Sequence, residues 1–382
     1  MLYKNLVKKV SISPEMKTKQ KNYLDKGALP IIDQGQKVIG GYTNNLNLQL
    51  SCSLPVIVFG DHTRAVKYID FPFGAGADGI KVLQPKEGIV PKYLYYATQY
   101  LVLRLEDRGY ARHYQYIEKK DLDVPDIDEQ KRVVAKIEKL FSELDNGVET
   151  LKKTKQQLAV SRQAVLKEAF DIALQCTDRM MTIEELLVTD RKGMATGPFG
   201  TMLKKHDHKH EGVPMLGIEN IGEGKFIDGN KIFVTLEKAL ELKSFVLKAG
   251  DIIISRSGTV GEICSVPSRM EGSLLSTNLM RVSLNPKVVL SEYFIYLFQS
   301  KGVVLDQVKE LCKGSTRIFL NQTILKQIQF PIPSIKKQEQ IIDEIESRMS
   351  ICDNIEKTVD TALQQAEAMR QSILKKAFEG EL

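Results

Sequence analysis

The sequence predicts an α+β protein: two globular domains built on mixed, curved sheets, separated by two long antiparallel coiled-coil helices, with a pseudo-two-fold internal repeat. Three observations predict it. The segment Pro125 to Phe170 recurs without a gap at Pro333 to Phe378, and 17 of its 46 positions are identical, among them Pro125/Pro333, Gln130/Gln338, Asp145/Asp353, Arg162/Arg370 and Ala169-Phe170/Ala377-Phe378. No proline occurs between Pro125 and Pro198 or after Pro333, as long helices require. Ahead of each helical stretch, short β-branched runs alternate with turn residues. Two copies of one unit in a single chain bring a built-in two-fold relation.

The elements divide the chain into a domain over 1–125, a spacer helix over 126–175, a second domain over 176–331 and a second spacer helix over 332–382. In the first helix Ile137, Phe141, Leu144, Val148, Leu151, Leu158 and Val165 keep alternating steps of three and four, with Lys155 and Arg162 filling two places. In the second, Ile345, Met349, Cys352, Val359, Leu363, Ala366 and Ile373 do the same, with Glu356 and Arg370 interrupting. This is a coiled-coil seam. At ~1.5 Å per residue each helix is about 60–65 Å long. Two such stripes most simply bury each other, and a two-fold relation makes the pair antiparallel. The domains align more faintly. Leu29-Pro30-Ile31-Ile32 matches Val213-Pro214-Met215-Leu216, Val56-Ile57-Val58 matches Ile252-Ile253-Ile254 at an offset of 196, Ile89–Tyr100 matches Val289–Ser300, and Gly109-Tyr110-Ala111-Arg112 matches Gly314-Ser315-Thr316-Arg317. The growing offset means that the second copy has gained loop insertions.

Bulk properties narrow the function. The five cysteines are scattered, with no C-x-x-C pair, which argues against zinc ribbons and disulfide frameworks and suits a reducing cytoplasm. No apolar run approaches ~18 residues, and the start MLYKNLVKKV lacks the apolar core of a secretion signal. The net charge of +6 is uneven: residues 1–125 carry +6 and 180–331 carry +3, whereas 126–179 balance and 332–382 carry −3. The positive excess lies on the domains, with the sign needed to meet phosphates.

Catalytic patterns are missing. No N/D-P-P-Y/F motif of amino-methyltransferases is present. Asp126, Glu129 and Lys131 lie at a helix start, where acidic side chains simply favour the dipole. Gly74-Ala75-Gly76-Ala77-Asp78-Gly79 fits G-x-G-x-x-G but leads into a short strand, not a phosphate-holding helix, and reads as a glycine-rich turn. His206, His208 and His210 alternate, so they would share one strand face and could ligate a metal; a polar loop is the preferred reading. No metal or cofactor is expected.

A domain, a helix ending RQAVLKEAF, a second domain and a helix ending RQSILKKAFEGEL resemble the specificity subunit of a type I restriction–modification system over essentially the whole chain. The most specific elements are Pro-x-x-x-x-Gln at 125–130 and 333–338 and the two helix ends. Ile32-Asp33-Gln34-Gly35-Gln36, Gly60-Asp61-His62-Thr63-Arg64, Gly197-Pro198-Phe199-Gly200 and Ile254-Ser255-Arg256-Ser257-Gly258-Thr259 resemble recurring parts of target-recognition domains. One departure is that the first domain lacks the lead-in that the second has at Thr182 to Gly193. The resemblance implies a non-catalytic subunit whose two domains each read half of a split double-stranded DNA sequence. It implies helices that act as a spacer and dock two modification methyltransferase subunits, and motor-nuclease subunits that join to complete a restriction enzyme. No membrane partner is implied.

Side-chain chemistry then selects candidate readers, since Arg and Lys pair with guanine edges and Gln and Asn with adenine edges. In the first domain these are Gln34, Gln36 and Lys37, then His62, Thr63 and Arg64, then Arg112, His113 and Tyr114. In the second they are Asn220, then Arg256, Ser257 and Thr259, then Lys313, Ser315, Thr316 and Arg317. Arg112 and Arg317 coincide in the two copies and are assigned to phosphates rather than bases. The spacer helices would set half-site centres about one DNA turn apart, ~10 bp. Deleting one heptad from each helix together is therefore expected to change the gap in the selected DNA motif and leave both halves unaltered; an unchanged gap defeats the ruler. The competing readings are a coiled-coil scaffold without a DNA role and a stand-alone DNA-binding protein without methyltransferase partners.

Overall fold

The computed structural model describes every residue except 78, 107, 108, 110, 176, 178, 257–259, 301 and 313–318. By contacts the chain forms two units, Met1–Lys153 with Val359–Leu382, and Thr154–Thr358. Each unit therefore holds one domain together with parts of both long helices.

The first unit contains β1 (Val7–Val10), β2 (Leu29–Ile32), β3 (Gly41–Thr43), β4 (Val56–Gly60), β5 (Val66–Ile69), β6 (Gly74–Gly76) and β7 (Ile80–Pro85), followed by α1 (Pro91–Leu103) and the short α2 (Tyr114–Ile117). One antiparallel sheet runs β1-β7-β4-β5. A second, mixed sheet pairs β2 antiparallel with β3 and parallel with β6. The strand β4 is buried on both faces, which is why it reads as the unbroken run Val-Ile-Val-Phe. Ile57 and Phe59 pack with α1 through Leu94, Ala97 and Leu101, while Val56 and Val58 pack with Ile32, Phe73 and Ala75. The glycine-rich run expected to be a turn is in part the strand β6. There a Cβ on Gly74 would lie 2.7 Å from Ile31 Cδ1, so the glycine serves close packing.

The second unit repeats this with β8 (Met194–Thr196), β9 (Val213–Leu216), β10 (Ile232–Val234), β11 (Ile252–Ser255), β12 (Ile263–Ser265), β13 (Leu274–Leu275), β14 (Leu279–Val282), α4 (Ser291–Gln299) and α5 (Gln322–Gln327). Its antiparallel sheet runs β8-β14-β11-β12, and β9 pairs antiparallel with β10 and parallel with β13. One sequence alignment needs correction. Ile252 and Ile254 face the helices as Ile57 and Phe59 do, and Ile253 faces the second sheet as Val58 does. The offset here is thus 195, not 196, because a slip of one residue moves every side chain to the other face. The alternating histidines follow the preferred loop reading rather than the strand-face one: Lys205–Asp207 is a 3₁₀ turn. The lead-in of the second domain contains a helical turn, Ile183–Leu186, and the first domain has the shorter 3₁₀ turn Tyr3–Asn5 before β1.

The long helices are α3 (Ile127–Gln175) and α6 (Ile335–Phe378), 49 and 44 residues. Their seam residues Ile137, Phe141, Leu158, Val165, Ile345, Cys352, Val359 and Ala366 are buried. In the second unit Arg162 meets Asp353 at 2.5 Å and Glu356 at 2.8 Å, and Glu168 meets Arg348 at 2.8 Å. Numbers rise on one helix as they fall on the other, so the segments are antiparallel. In the first unit Arg370 pairs with Asp145 and lies 4.3 Å over the Phe141 ring. Adding 208 to Arg162 and Asp145 gives Arg370 and Asp353, so the two ion pairs are each other's copies. Because these side chains are part-exposed, Arg162→Ala is expected to cost no more than about 1 kcal/mol. Arg162→Glu, which gathers like charges, is expected to cost more and to recover as salt is raised; thermal melts at low and high salt test both.

The Pro-x-x-x-x-Gln motif now has a physical cause. Gln130 donates to Pro125 O (2.9 Å) and Gly88 O (3.0 Å) and accepts from Val90 N (2.8 Å). Gln338 donates to Pro333 O (2.9 Å) and Val288 O (2.9 Å) and accepts from Leu290 N (2.9 Å). In each copy one buried amide ties the start of the long helix to the residues leading into α1 or α4. The Ala-Phe helix ends are likewise docking groups. Phe170 lies edge-on to Tyr293 at 5.4 Å, and Phe378 packs on Tyr93 at 5.2 Å and Tyr100 at 5.3 Å.

Candidate nucleic-acid interface

In the first domain, loops distant in sequence interlock around Asp61. Its backbone N–H donates to Gly79 O at 2.6 Å, and its carbonyl accepts from His113 N at 2.8 Å and faces His113 Nδ1 at 3.0 Å. Its carboxylate accepts from Tyr114 N at 2.8 Å and pairs with Lys81 at 3.4 Å. Thr63 Oγ1 donates to Gln34 O, and a Cβ on Gly79 would meet Gln34 Oε1 at 2.6 Å. The three expected reader segments of this domain therefore form one cluster at the ends of β2, β4 and β6.

Within it the side chains divide. Gln36, Lys37, Thr63 and Arg112 are exposed, and Gln34, His62 and Arg64 are half-buried. Arg64 holds a left-handed backbone, φ 60°. His113 and Tyr114 are 1% and 3% exposed. These two, expected as readers, have no surface to offer a base edge; they carry the Asp61 contacts, and the Tyr114 ring lies 4.3 Å beneath Lys9 Nζ.

In the second domain Asn220 is fully buried. It accepts from Gly217 N at 2.9 Å and donates to Ile227 O at 3.0 Å, so the expected adenine reader is a loop brace. Arg256 is half-buried and its guanidinium donates to Leu320 O and Thr277 O, both at 3.3 Å. Ser257, Thr259, Lys313, Ser315, Thr316 and Arg317 lie outside the described residues.

Sequence reasoning missed a second set of contacts. Thr277 Oγ1 donates to Pro198 O at 2.6 Å, and Gln322 donates to Thr196 Oγ1 at 2.8 Å. These join the Gly197-Pro198-Phe199-Gly200 loop to the ends of β14 and α5. The glycine-proline pair was the available signal. Also missed was a buried cation in the same sheet of each copy. Lys67 donates to Asp33 O at 2.7 Å; Arg281 donates to Val246 O at 2.9 Å and Lys192 O at 2.8 Å. Burial lowers the pKa of both, opposed by Asp33 and Asp251 respectively. Among the described residues no group of three His, Cys, Asp or Glu side chains is placed to hold a metal, and no helix is long and apolar enough to cross a membrane.

The family described as the type I restriction modification DNA specificity domain matches residues 198–365. The type I restriction enzyme EcoBI specificity subunit of Escherichia coli is 26% identical over 68% of this chain and 58% of its own length. The StySPI specificity subunit of Salmonella potsdam is 24% identical over 78% of this chain and 67% of its own. This chain is similar to type I restriction–modification specificity subunits, and residues 198–365 match their DNA specificity domain. A solved chain, described for the complex assembly and conformational transition of the type I system, aligns over 100% of this chain and 97% of its own at 14% identity with a TM-score of 0.66; at that identity the likeness concerns the fold alone. The chain spans 58% of the length of the EcoBI specificity subunit. Within the specificity-subunit match lie Gly197's neighbours Pro198 and Phe199, Asn220, Arg256 and the Gln338 clamp.

Proposed function

We propose that the chain is a non-catalytic, sequence-specific DNA-recognition subunit that reads a bipartite duplex target and docks modification methyltransferase subunits, two in number by its internal repeat, with motor-nuclease subunits joining them in a cytoplasmic complex. The observation that carries the reading is one strand arrangement repeated in two domains whose strand-end loops differ: Gln36, Lys37, Thr63 and Arg112 in the first, Phe199 and Arg256 in the second. Such a pair suits two unlike half-sites on a common frame. The basic excess of the domain segments supplies the sequence-independent attraction to phosphates, and exposed Arg112 suits a phosphate role.

The test is co-expression with a candidate modification subunit, followed by selection of bound duplexes from a random library. A split motif with a fixed unspecified gap is the expected result. A complex that retains DNA without sequence enrichment removes the recognition role, and a chain that retains no DNA at any salt favours the scaffold.

A further inference from the structure

Phe199 is 67% exposed, more than any other described phenylalanine, and the chain beneath it is held firmly. A Cβ on Gly197 would lie 1.9 Å from Ser276 O, so this backbone approach admits glycine alone. Gly197 N–H donates to Leu279 O at 3.1 Å, and the Pro198 carbonyl accepts from Thr277 Oγ1. Arg256, whose own N–H donates to Asn278 O at 3.0 Å, braces the same 277–278 segment. An aromatic ring is thus presented to solvent on a pinned loop. Between Asp190 and Asp207 the chain carries exposed Lys192, Lys204 and Lys205 and no carboxylate, while Arg191 is held by Asp251, a setting that suits a polyanion. At the corresponding strand end of the first domain, Ser11-Ile12-Ser13-Pro14-Glu15 has no aromatic residue.

We infer that Phe199 is an apolar wedge that stacks against a base step in the DNA half-site of the second domain, and that the first domain reads its half without one. Apolar side chains placed on such loops enter partly unstacked steps, and stacking on a base needs only a free ring face. The inference rests on the DNA-recognition reading above and adds a residue and a mode of contact to it.

The chain contains no tryptophan, so Phe199→Trp creates a lone indole reporter. Leu236→Trp is the control, at a position in the same unit that is 70% exposed. The probe is a duplex recovered by selection on the full wild-type chain. Its retention is measured first, by gel shift. On adding duplex, the indole at 199 is expected to be quenched and shielded from acrylamide while the indole at 236 keeps its exposure. Phe199→Ala is expected to weaken binding on the order of 5- to 150-fold, with base preference lost only in one half of the motif. An indole at 199 that stays accessible with duplex bound, or an alanine variant that binds like wild type, overturns the wedge while leaving DNA recognition standing. A wild-type chain that retains no duplex defeats the underlying reading and the wedge with it.

Discussion

Replacing Gln338 with alanine is expected to lower the stability of the second unit by roughly 3–9 kcal/mol, since it strands one donor and two acceptors at about 1–3 kcal/mol each. The groups are Leu290 N–H, Val288 C=O and Pro333 C=O, all bonded to one amide whose residue is fully buried. A shift of that size is a large part of the ~5–15 kcal/mol that holds an ordinary domain together. Gln338→Glu keeps an acceptor for Leu290 but sets a carboxylate against two carbonyls, so it is expected to do little better. Gln130→Ala, with the same three contacts in the first unit, is expected to destabilise that unit by a similar amount. Urea unfolding followed by circular dichroism decides the matter. Loss of under about 1 kcal/mol in both variants, the scale of a single net hydrogen bond, sinks the clamp.

Asp61→Ala is expected to cost about 1–4 kcal/mol, mostly from the unmet N–H of Tyr114, with the part-exposed Lys81 pair adding at most about 1 kcal/mol. Its functional effect is expected to be one-sided. Without the carboxylate, α2 keeps only the backbone bond from His113 N to the Asp61 carbonyl and loses the side-chain tie at Tyr114 N, so base preference in one half of the selected motif blurs while the other half stays sharp. Asp61→Asn keeps an acceptor for Tyr114 and is expected to restore most of both. Equal blurring of the two halves by Asp61→Ala argues that the loops do not act as one cluster.

What was legible in the sequence follows from how local each signal is. The helix seam is a short-range pattern, and Ile137, Phe141, Ile345 and Val359 lie where spacing alone put them. Ion pairs between helices followed less directly, since Arg162 and Arg370 looked like interruptions until Asp353 and Asp145 were found opposite them. The alignment of β4 with β11 was out by one residue because both strands bury both faces, leaving no alternation to fix the phase. Reader residues were the hardest. His113, Tyr114 and Asn220 have the side chains of readers, but each is taken up by the fold, and only three-dimensional pairing with Asp61, Gly217 and Ile227 reveals it. Phe199 lay in a segment singled out by resemblance, but its exposure shows only in three dimensions.

The docking of α6 in the first unit bears on synthesis. Leu374 and Ala377 belong to the core shared by Tyr93, Ala97 and Ile137, and Phe378 covers Tyr93 and Tyr100. A ribosome makes the first domain early and these residues hundreds of codons later. Until they emerge, the face of α1 that they cover stands open to water and to other nascent chains. Of the two domains, the one translated first is thus the one whose core waits longest to close.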